Sequence, residues 1–440
     1  MITFLWLLAV VAAIIWMTAR LKLHPFLALM FGSIVMGFLT GLAVTNMLGA
    51  ISGGFGSTLQ SIGIVIAAGT IIGEYLDRSG GARVLANKLL SWVGEKNSPI
   101  AMSMTGYIVS IPVFCDSGFI VLSSLMKAIG KRTNISIAVL AVALASGLYA
   151  THVFVPPTPG PLAAAATLGA DIGRVLIMGL IVSVPVMIVA LLWAKYWCGR
   201  YHIEIELPDE REDEGRSAPS FTIAIAPILA PIFLIAFKSI AEYPTEPLGD
   251  GYLFNAMVFL GDPIIALFVG VLMAFFMVGN GEKRIKNLWL EEALKKAGVI
   301  ILITGAGGAF GAVLRETDLG DFAAQFATAG NMGVLIPFLI AAFLKTAQGS
   351  STVAIITAAA ICAPLLEPLG FDSVNGTALI VLAIGAGSLT VSHVNDSYFW
   401  VVAKFSEMDT ATALKTHTTT TLLMGITGLV VIQIMAWLLV

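Results

Sequence analysis

The sequence predicts an all-α polytopic membrane protein, built as an inverted-topology repeat with two re-entrant hairpins and unwound transmembrane helices. Three observations predict this fold. Apolar segments long enough to cross a bilayer recur along the whole chain, the two halves resemble each other, and polar clusters interrupt the apolar runs at matched points of both halves. A spanning helix needs about 20 mostly apolar residues, and runs such as 175–197 and 422–439 approach or exceed this length.

Composition predicts the lipid bilayer as the main partner. The chain is 58% hydrophobic and only 12% charged, which is too little charge for a soluble protein of 440 residues. A net charge of −3 gives no basic surface for nucleic acid. The three cysteines lie far apart in or beside apolar runs, so we expect packing residues and no metal site. The run 2–17 lacks a charged start and a cleavage pattern, and is predicted to be the first helix.

Two pairs of motifs indicate the repeat. The segments that begin near Gly63 and Gly298 are similar, and so are the segments around His152 and His393. Both pairs are separated by nearly the same length of chain. An acidic hydrophilic linker at 201–219 divides the sequence, so the predicted units are an N-terminal repeat, 1–200, and a C-terminal inverted repeat, 220–440.

Loop charges predict that the second half is inverted. Cytoplasmic loops carry an excess of Lys and Arg. In the first half the loop at 47–60 is uncharged and the loop after it is basic, whereas in the second half the matching loop at 280–296 is basic and the one at 315–331 is mostly acidic. Inverted repeats are typical of transporters, which bind substrate near the midplane where the repeats meet.

The first matched pair of polar clusters predicts two re-entrant hairpins, at about 113–130 and 346–366. Each cluster sits between apolar flanks too short for two full spans, and broken backbone at membrane depth is tolerated only where it lines protein or a cavity. Free N–H groups and the positive ends of half-helices suit an anionic ligand. The candidate binding residues here are Asp116, Ser117, Gly118, Gly349, Ser350, Ser351 and Thr352.

The second matched pair predicts unwound loops at 151–161 and 392–397. Four prolines within 156–161 cannot continue a helix, and the sequence SHVNDS interrupts an apolar stretch in the same way. Thr158, Asn395 and Asp396 are further candidate substrate contacts. The candidates for a coupled proton are Asp116, His152, His393 and Asp396, although either histidine can instead be a neutral hydrogen-bonding strut.

Lys345 stands at the end of an apolar run, directly before the second predicted hairpin. Three roles are open for its ammonium group. It can bind a substrate carboxylate, extend to the membrane surface, or neutralise Asp396.

With these residues in view, the sequence resembles the gluconate:proton symporter (GntP) family, within the broader ion transporter superfamily. The resemblance covers nearly the whole chain and rests on THVFVPPTPGP at 151–161, GAGGAF at 305–310, QGSSTVA at 348–354 and SHVNDSYFW at 392–400. It implies proton-driven uptake of gluconate or a related sugar acid across the cell inner membrane, with no cofactor. The superfamily implies paired hairpins, an elevator-like movement and a homodimer. Sodium coupling remains an alternative, because broken helices also hold Na⁺.

The chain departs from the gluconate-type pattern in two candidate loops. Asp116-Ser117-Gly118 replaces an acidic residue followed by Val-Gly, and Thr158 stands where the proline loop commonly has histidine. The substrate class is therefore open to a shorter hydroxy acid such as glycerate, another aldonate, or D-serine. A channel and an intramembrane enzyme are the remaining hypotheses. The paired hairpins favour a carrier over a channel, and no metal-ligand spacing supports an enzyme.

Overall fold

The computed structural model describes residues 2–201, 203, 218–241, 251–278, 283–317, 333–393 and 396–440. All regular secondary structure in these ranges is helical. Within them, 5 helices are long and apolar enough to cross a membrane, or up to 7 if each bent pair counts as one span. The predicted all-α membrane fold is confirmed. The acidic linker at 201–219 lies largely outside the described residues.

The helices of the first half begin where the sequence provides start signals. Pro25, Pro99 and Pro159 stand in the first turn of α2, α5 and α8, where a helix needs no N–H donor. The Asp171 side chain accepts a hydrogen bond from the N–H of Arg174 and so caps α9. The helices are α1 (Ile2–Ala19), α2 (Pro25–Leu39), α3 (Val44–Arg78), α4 (Gly81–Val93), α5 (Ser98–Val109), α6 (Cys115–Thr133), α7 (Ile137–Phe154), α8 (Pro159–Leu168) and α9 (Ile172–Tyr196).

The second half follows the same succession. A long helix is followed by two short helices, a broken helix and a final long helix, so α3 and α5–α9 correspond in order to α13–α17 and α19. The described helices are α10 (Phe221–Ala241), α11 (Tyr252–Leu260), α12 (Pro263–Ala274), α13 (Lys283–Arg315), α14 (Leu335–Gln348), α15 (Ser351–Cys362), α16 (Val374–Leu389), α17 (Ser397–Phe405), α18 (Thr410–Ala413) and α19 (Thr419–Leu439). A π-helical turn, Leu414–Thr418, joins α18 to α19.

The two longest helices, α3 and α13, cross at glycines. A Cβ added to Gly54 would lie 2.5 Å from the carbonyl oxygen of Gly308, and one added to Gly308 would lie 2.0 Å from the Thr58 hydroxyl. Only glycine permits this approach of two backbones, which is how helices associate in lipid.

The first hairpin consists of α5 and α6, with its tip at 110–114. At about 1.5 Å per residue, the 12 residues of α5 extend only about 18 Å, too short for a span. Arg132 Nη2 lies 3.0 Å from Glu95 Oε1 and joins the two arms at the opposite end. The predicted segment 113–130 is instead almost all one helix, because the turn-forming residues precede Cys115.

The second hairpin consists of α14 and α15. Gly349, with φ of 74°, ends α14, and its N–H donates to the carbonyl oxygen of Lys345 at 2.8 Å. At the opposite end, Gly333 packs against the ring of Phe371. The hairpin therefore begins near Leu335, earlier than the predicted 346–366, because its first arm is the apolar run before the polar tip.

The first broken helix unwinds only at 155–158, a shorter segment than the predicted 151–161. Helix α7 includes His152 and ends at Phe154, because the residue before a proline avoids helical backbone angles and Val155 precedes Pro156. Pro159 and Pro161 lie in the first turn of α8, where they are accommodated. The peptide bond between Pro156 and Pro157 is cis. In the second half α16 ends at Leu389 and α17 begins at Ser397, close to the predicted break at 392–397.

The core of the molecule surrounds the two broken helices. Every residue of α7 is buried, and so is almost every residue of α16. A helix that is apolar all round is a buried helix. The breaks, and the polar residues in them, therefore lie inside the protein and not against lipid.

Candidate functional site

The hairpins and the broken helices contact one another. His393 Nε2 lies 3.1 Å from the carbonyl oxygen of Thr346, which joins the second break to the second hairpin. The Tyr398 hydroxyl donates to the carbonyl oxygen of Ala145 at 2.9 Å, which joins α17 to α7. A Cβ on Gly160 would lie 2.8 Å from Ile355 Cδ1, so α8 and α15 are in direct contact. The polar residues of the two halves thus share one region.

A buried ion pair between Lys345 and Asp396 occupies this region. Lys345 is 1% exposed and Asp396 is 3% exposed. The ammonium group donates to Asp396 Oδ2, which also accepts from the Ser392 hydroxyl, and Asp396 Oδ1 accepts from the N–H of Tyr398 at 3.0 Å. Removing two charges from solvent is costly, so the pair depends on these additional hydrogen bonds. Of the three roles predicted for Lys345, the structure shows the neutralisation of Asp396.

His417 belongs to the same network, and sequence reasoning missed it. Its Nε2 lies 3.2 Å from the Ser392 hydroxyl, and its ring is 5.5 Å from the ring of Tyr398. The residue is buried in the π-helical turn, and such turns are frequent at functional sites. Thr418 and Thr421 bond to the backbone of Ser392. In the sequence, His417 could have been recognised from the polar run 415–421 at the start of an apolar helix.

Two tyrosines, also absent from the predicted site, cover the ion pair. The rings of Tyr149 and Tyr398 are 5.0 Å apart, and Lys345 Nζ lies 5.7 Å from the centre of the Tyr149 ring. An ammonium over a tyrosine face is attracted by the ring quadrupole. The Tyr149 hydroxyl also interacts with Ser351 at the start of α15. Tyr149 therefore connects the ion pair to the tip of the second hairpin.

Asp116 lies in the first turn of α6, close enough to Asp396 and Lys345 for their charges to interact. Its Oδ2 is 3.8 Å from the sulfur of Cys115, whereas its buried Oδ1 has no hydrogen-bond partner among the described residues. A buried carboxylate oxygen without a donor is unfavourable, so this group is poised to bind a ligand or a proton. Gly118 packs against Leu148, where a Cβ would approach to 2.6 Å. The side chain of Ser117 is outside the described part of the structure.

His152 and Thr158 line a separate small cavity between the first hairpin tip, the first break and α3. The cavity volume is about 10 Å³, room for about one water molecule. His152 Nδ1 is buried without a partner among the described residues, and the Thr158 hydroxyl donates to the carbonyl oxygen of Val155 at 2.6 Å. A six-carbon acid can enter here only after the surrounding elements move apart.

The second hairpin tip presents the start of α15. The Ser350 side chain accepts from the N–H of Val353 and caps the helix, and Ser351 and Thr352 form its first turn. The first N–H groups of a helix lack intrahelical acceptors, and this end carries a partial positive charge. Asn395 lies outside the described residues. The predicted residues thus form two neighbouring groups, one around Lys345 and Asp396 and one around His152.

Comparison with known proteins gives one family over the whole chain. The model of the GntP family permease matches residues 2–439. An uncharacterized permease of Haemophilus influenzae is 37% identical, over 90% of this chain and 84% of its own length. A gluconate permease of Pseudomonas aeruginosa is 34% identical over 98% of this chain and 96% of its own. The D-serine transporter DsdX of Escherichia coli is 33% identical over 96% of both chains.

Two solved transporters have a similar fold. The YdaH transporter of Alcanivorax borkumensis aligns with a TM-score of 0.65 at 16% identity, over 94% of this chain and 98% of its own. MtrF of Neisseria gonorrhoeae aligns with a TM-score of 0.66 at 14% identity, over 96% of this chain and 97% of its own. At these identities the similarity concerns the fold alone.

Proposed function

The chain belongs to the GntP family of permeases and is a secondary transporter of the membrane, and we propose that it couples uptake of gluconate or a related sugar acid to entry of a proton. The proposed location is the bacterial inner membrane, with no cofactor required. One observation carries the proposal: a buried cation, Lys345, and Asp116, whose buried Oδ1 has no hydrogen-bond partner among the described residues, lie in one polar region between the hairpins. An anion needs the first and a coupled proton needs the second.

The carboxylate of the substrate is assigned to the start of α15. The first N–H groups and the positive end of this helix lie there, and Ser350, Ser351 and Thr352 are its N-cap and first two residues. The Lys345 side chain belongs to the last turn of α14, directly across the tip. Gly349, Thr158 and Asn395 are proposed to contact the remainder of the substrate.

Among the four candidate proton acceptors, Asp116 is the one we propose. Asp396 already accepts hydrogen bonds at both oxygens, one of them from the Lys345 ammonium group, so both oxygens are occupied. His393 holds the carbonyl oxygen of Thr346, and His152 faces a cavity with space for one water. Asp116 Oδ1 has no donor among the described residues, so a proton there removes an unfavourable buried charge.

D-serine is the second candidate substrate, because the D-serine transporter is as similar to this chain as the gluconate permease. The two substrates require different chemistry from Asp116. D-serine has an ammonium group, which an ionised carboxylate binds well, whereas a sugar acid carries no cation and is repelled by it. Substituting Asp116 therefore distinguishes the two.

For the transport movement, we propose that the hairpins and broken helices shift together against a scaffold that contains α3 and α13, in a homodimer. The glycine crossing of α3 and α13 supports a rigid scaffold, because close backbone contact leaves little freedom to slide.

The proposal is tested by uptake of radiolabelled gluconate into proteoliposomes with an imposed inward proton gradient. We expect accumulation that a protonophore abolishes. Competition by unlabelled glycerate, other aldonates and D-serine then ranks the substrates, and a sodium gradient tests the alternative ion. If the folded protein accumulates gluconate under neither gradient, the sugar-acid proposal is wrong.

The role of Asp116 is tested with Asp116→Asn, which resembles the protonated carboxyl in shape and charge. Downhill gluconate entry should persist, whereas a proton gradient should no longer drive accumulation. D-serine transport, if present in the natural protein, should be lost. The matched control is Glu407→Gln, which removes a carboxylate from the ion pair with Lys127 outside the proposed site. Full proton-driven accumulation by Asp116→Asn would assign the proton to another residue.

A further inference from the structure

The Lys345–Asp396 pair differs from the other ion pairs between described residues in its depth. Its two side chains are 1% and 4% exposed, whereas every other such pair has at least one partner that is 31% exposed or more. Solvent reaches at least one partner of each of those pairs, but it reaches neither Lys345 nor Asp396. The charge of Lys345 must therefore be balanced by a protein group or by a bound anion at all times.

The proposed substrate position brings an anion to the same ammonium group. The carbonyl oxygen of Lys345 accepts a hydrogen bond from the N–H of Gly349, where α14 ends. The Lys345 side chain therefore extends from α14 one turn before the hairpin tip. A carboxylate bound at the start of α15 lies on the other side of that tip. Asp396 and the substrate would thus compete for one cation.

We propose that Asp396 is the internal counter-anion of Lys345 in the empty carrier and that the carboxylate of the substrate takes its place on loading. This inference rests on the proposed function, since it requires an anionic substrate. Either carboxylate neutralises Lys345, so its ammonium group is paired in both states, and the proton that Asp116 takes up with the substrate offsets the second negative charge of the loaded site. Asp396 thereby permits the return of the empty carrier, a step without which net uptake stops after one delivery.

The surroundings of Asp396 suit this exchange. When Lys345 turns to the substrate, Asp396 keeps two donors, the Ser392 hydroxyl and the N–H of Tyr398. His417 holds the Ser392 hydroxyl in place from the π-helical turn. The other ionisable groups close to Asp396 are Asp116 and Cys115 of α6, Tyr149 and His152 of α7, and Tyr398 of α17.

The experiment compares net uptake with exchange in proteoliposomes that contain Asp396→Asn. Exchange of labelled external for unlabelled internal gluconate needs only loaded carriers, because the substrate neutralises Lys345 in both directions. Net uptake also needs the empty carrier, in which Lys345 is now unbalanced. We expect the ratio of net uptake to exchange to fall at least about tenfold. Glu292→Gln, a carboxylate-to-amide control in an ion pair whose side chains are 43% and 61% exposed, should leave the ratio unchanged.

A second variant, Lys345→Gln/Asp396→Asn, guards against a folding defect and provides a rescue. Both charges of the pair are absent from its empty site, so no buried ammonium is left unpaired, and the ratio should return to within a few-fold of the natural protein, with a raised KM for gluconate. The inference is overturned if Asp396→Asn keeps the natural ratio or loses both reactions while folded, or if the double variant fails to restore the ratio. Failure of the unmodified protein to exchange gluconate would instead reject the proposed function.

Discussion

Lys345→Gln should destabilise the protein by about 3 kcal/mol, because it leaves Asp396 buried without its cation. Breaking a fully buried ion pair by removing one partner costs about 3–5 kcal/mol. The lower end applies here, since Asp396 keeps the Ser392 hydroxyl and the Tyr398 N–H as donors. The free energy of unfolding is measured by denaturant titration in mixed micelles, with the natural protein and the variant compared at constant micelle composition.

The matched control and the double variant separate charge from packing. Glu292→Gln removes a carboxylate from an ion pair whose side chains are 43% and 61% exposed, and should leave the unfolding free energy unchanged. Lys345→Gln/Asp396→Asn removes both charges and should be more stable than Lys345→Gln alone. A loss of less than about 1 kcal/mol in Lys345→Gln would mean that solvent reaches the pair, and would refute the burial on which the mechanism depends.

Three further predictions concern helix packing, the cap of α15 and the hydrogen bond of His417. Gly147→Ala should lower stability by about 1–3 kcal/mol, because a Cβ there would lie 2.0 Å from the carbonyl oxygen of Ser103. Gly49→Ala, at a position with open space around it, should not lower stability. Thermal unfolding in detergent compares the two variants. Ser350→Ala should remove the cap of α15, cost about 1 kcal/mol and raise the KM for gluconate, as uptake kinetics would show. His417→Ala should slow net uptake more than His417→Gln, whose amide can still bond to Ser392; equal rates for these two variants would exclude a positioning role.

The helix types and the repeat could be predicted because they depend on local composition. Apolar length identified the spans, and polar residues at matched positions located both hairpin regions. The helix bounds were less accurate, for physical reasons. The prolines at 156–161 suggested a long unwound loop, yet His152 stays helical and Pro159 and Pro161 begin the next helix. Proline constrains its own position and its neighbours, and several prolines near a helix start are tolerated.

Candidate site residues could be picked out where a charge stood inside an apolar run, as for Asp116, Lys345 and Asp396, and their role in binding stays a prediction. The ion pair itself was one of three open roles for Lys345, because pairing across 51 positions depends on tertiary structure. His417 was missed because it belongs to a threonine-rich run that resembles a helix start, and its inward direction results from a π-helical turn with no sequence signature. Tyr149 and Tyr398 resemble ordinary aromatic packing residues until their neighbours are known.

The most direct test of the account is proton entry that is driven by the substrate. Proteoliposomes contain a trapped pH indicator, no ion gradient is imposed, and gluconate is added outside while its uptake is followed with label. Proton symport predicts that the lumen acidifies in step with gluconate entry, that Asp116→Asn admits gluconate without acidification, and that protein-free liposomes show neither signal. Entry of gluconate into vesicles with the natural protein at constant internal pH would contradict the account.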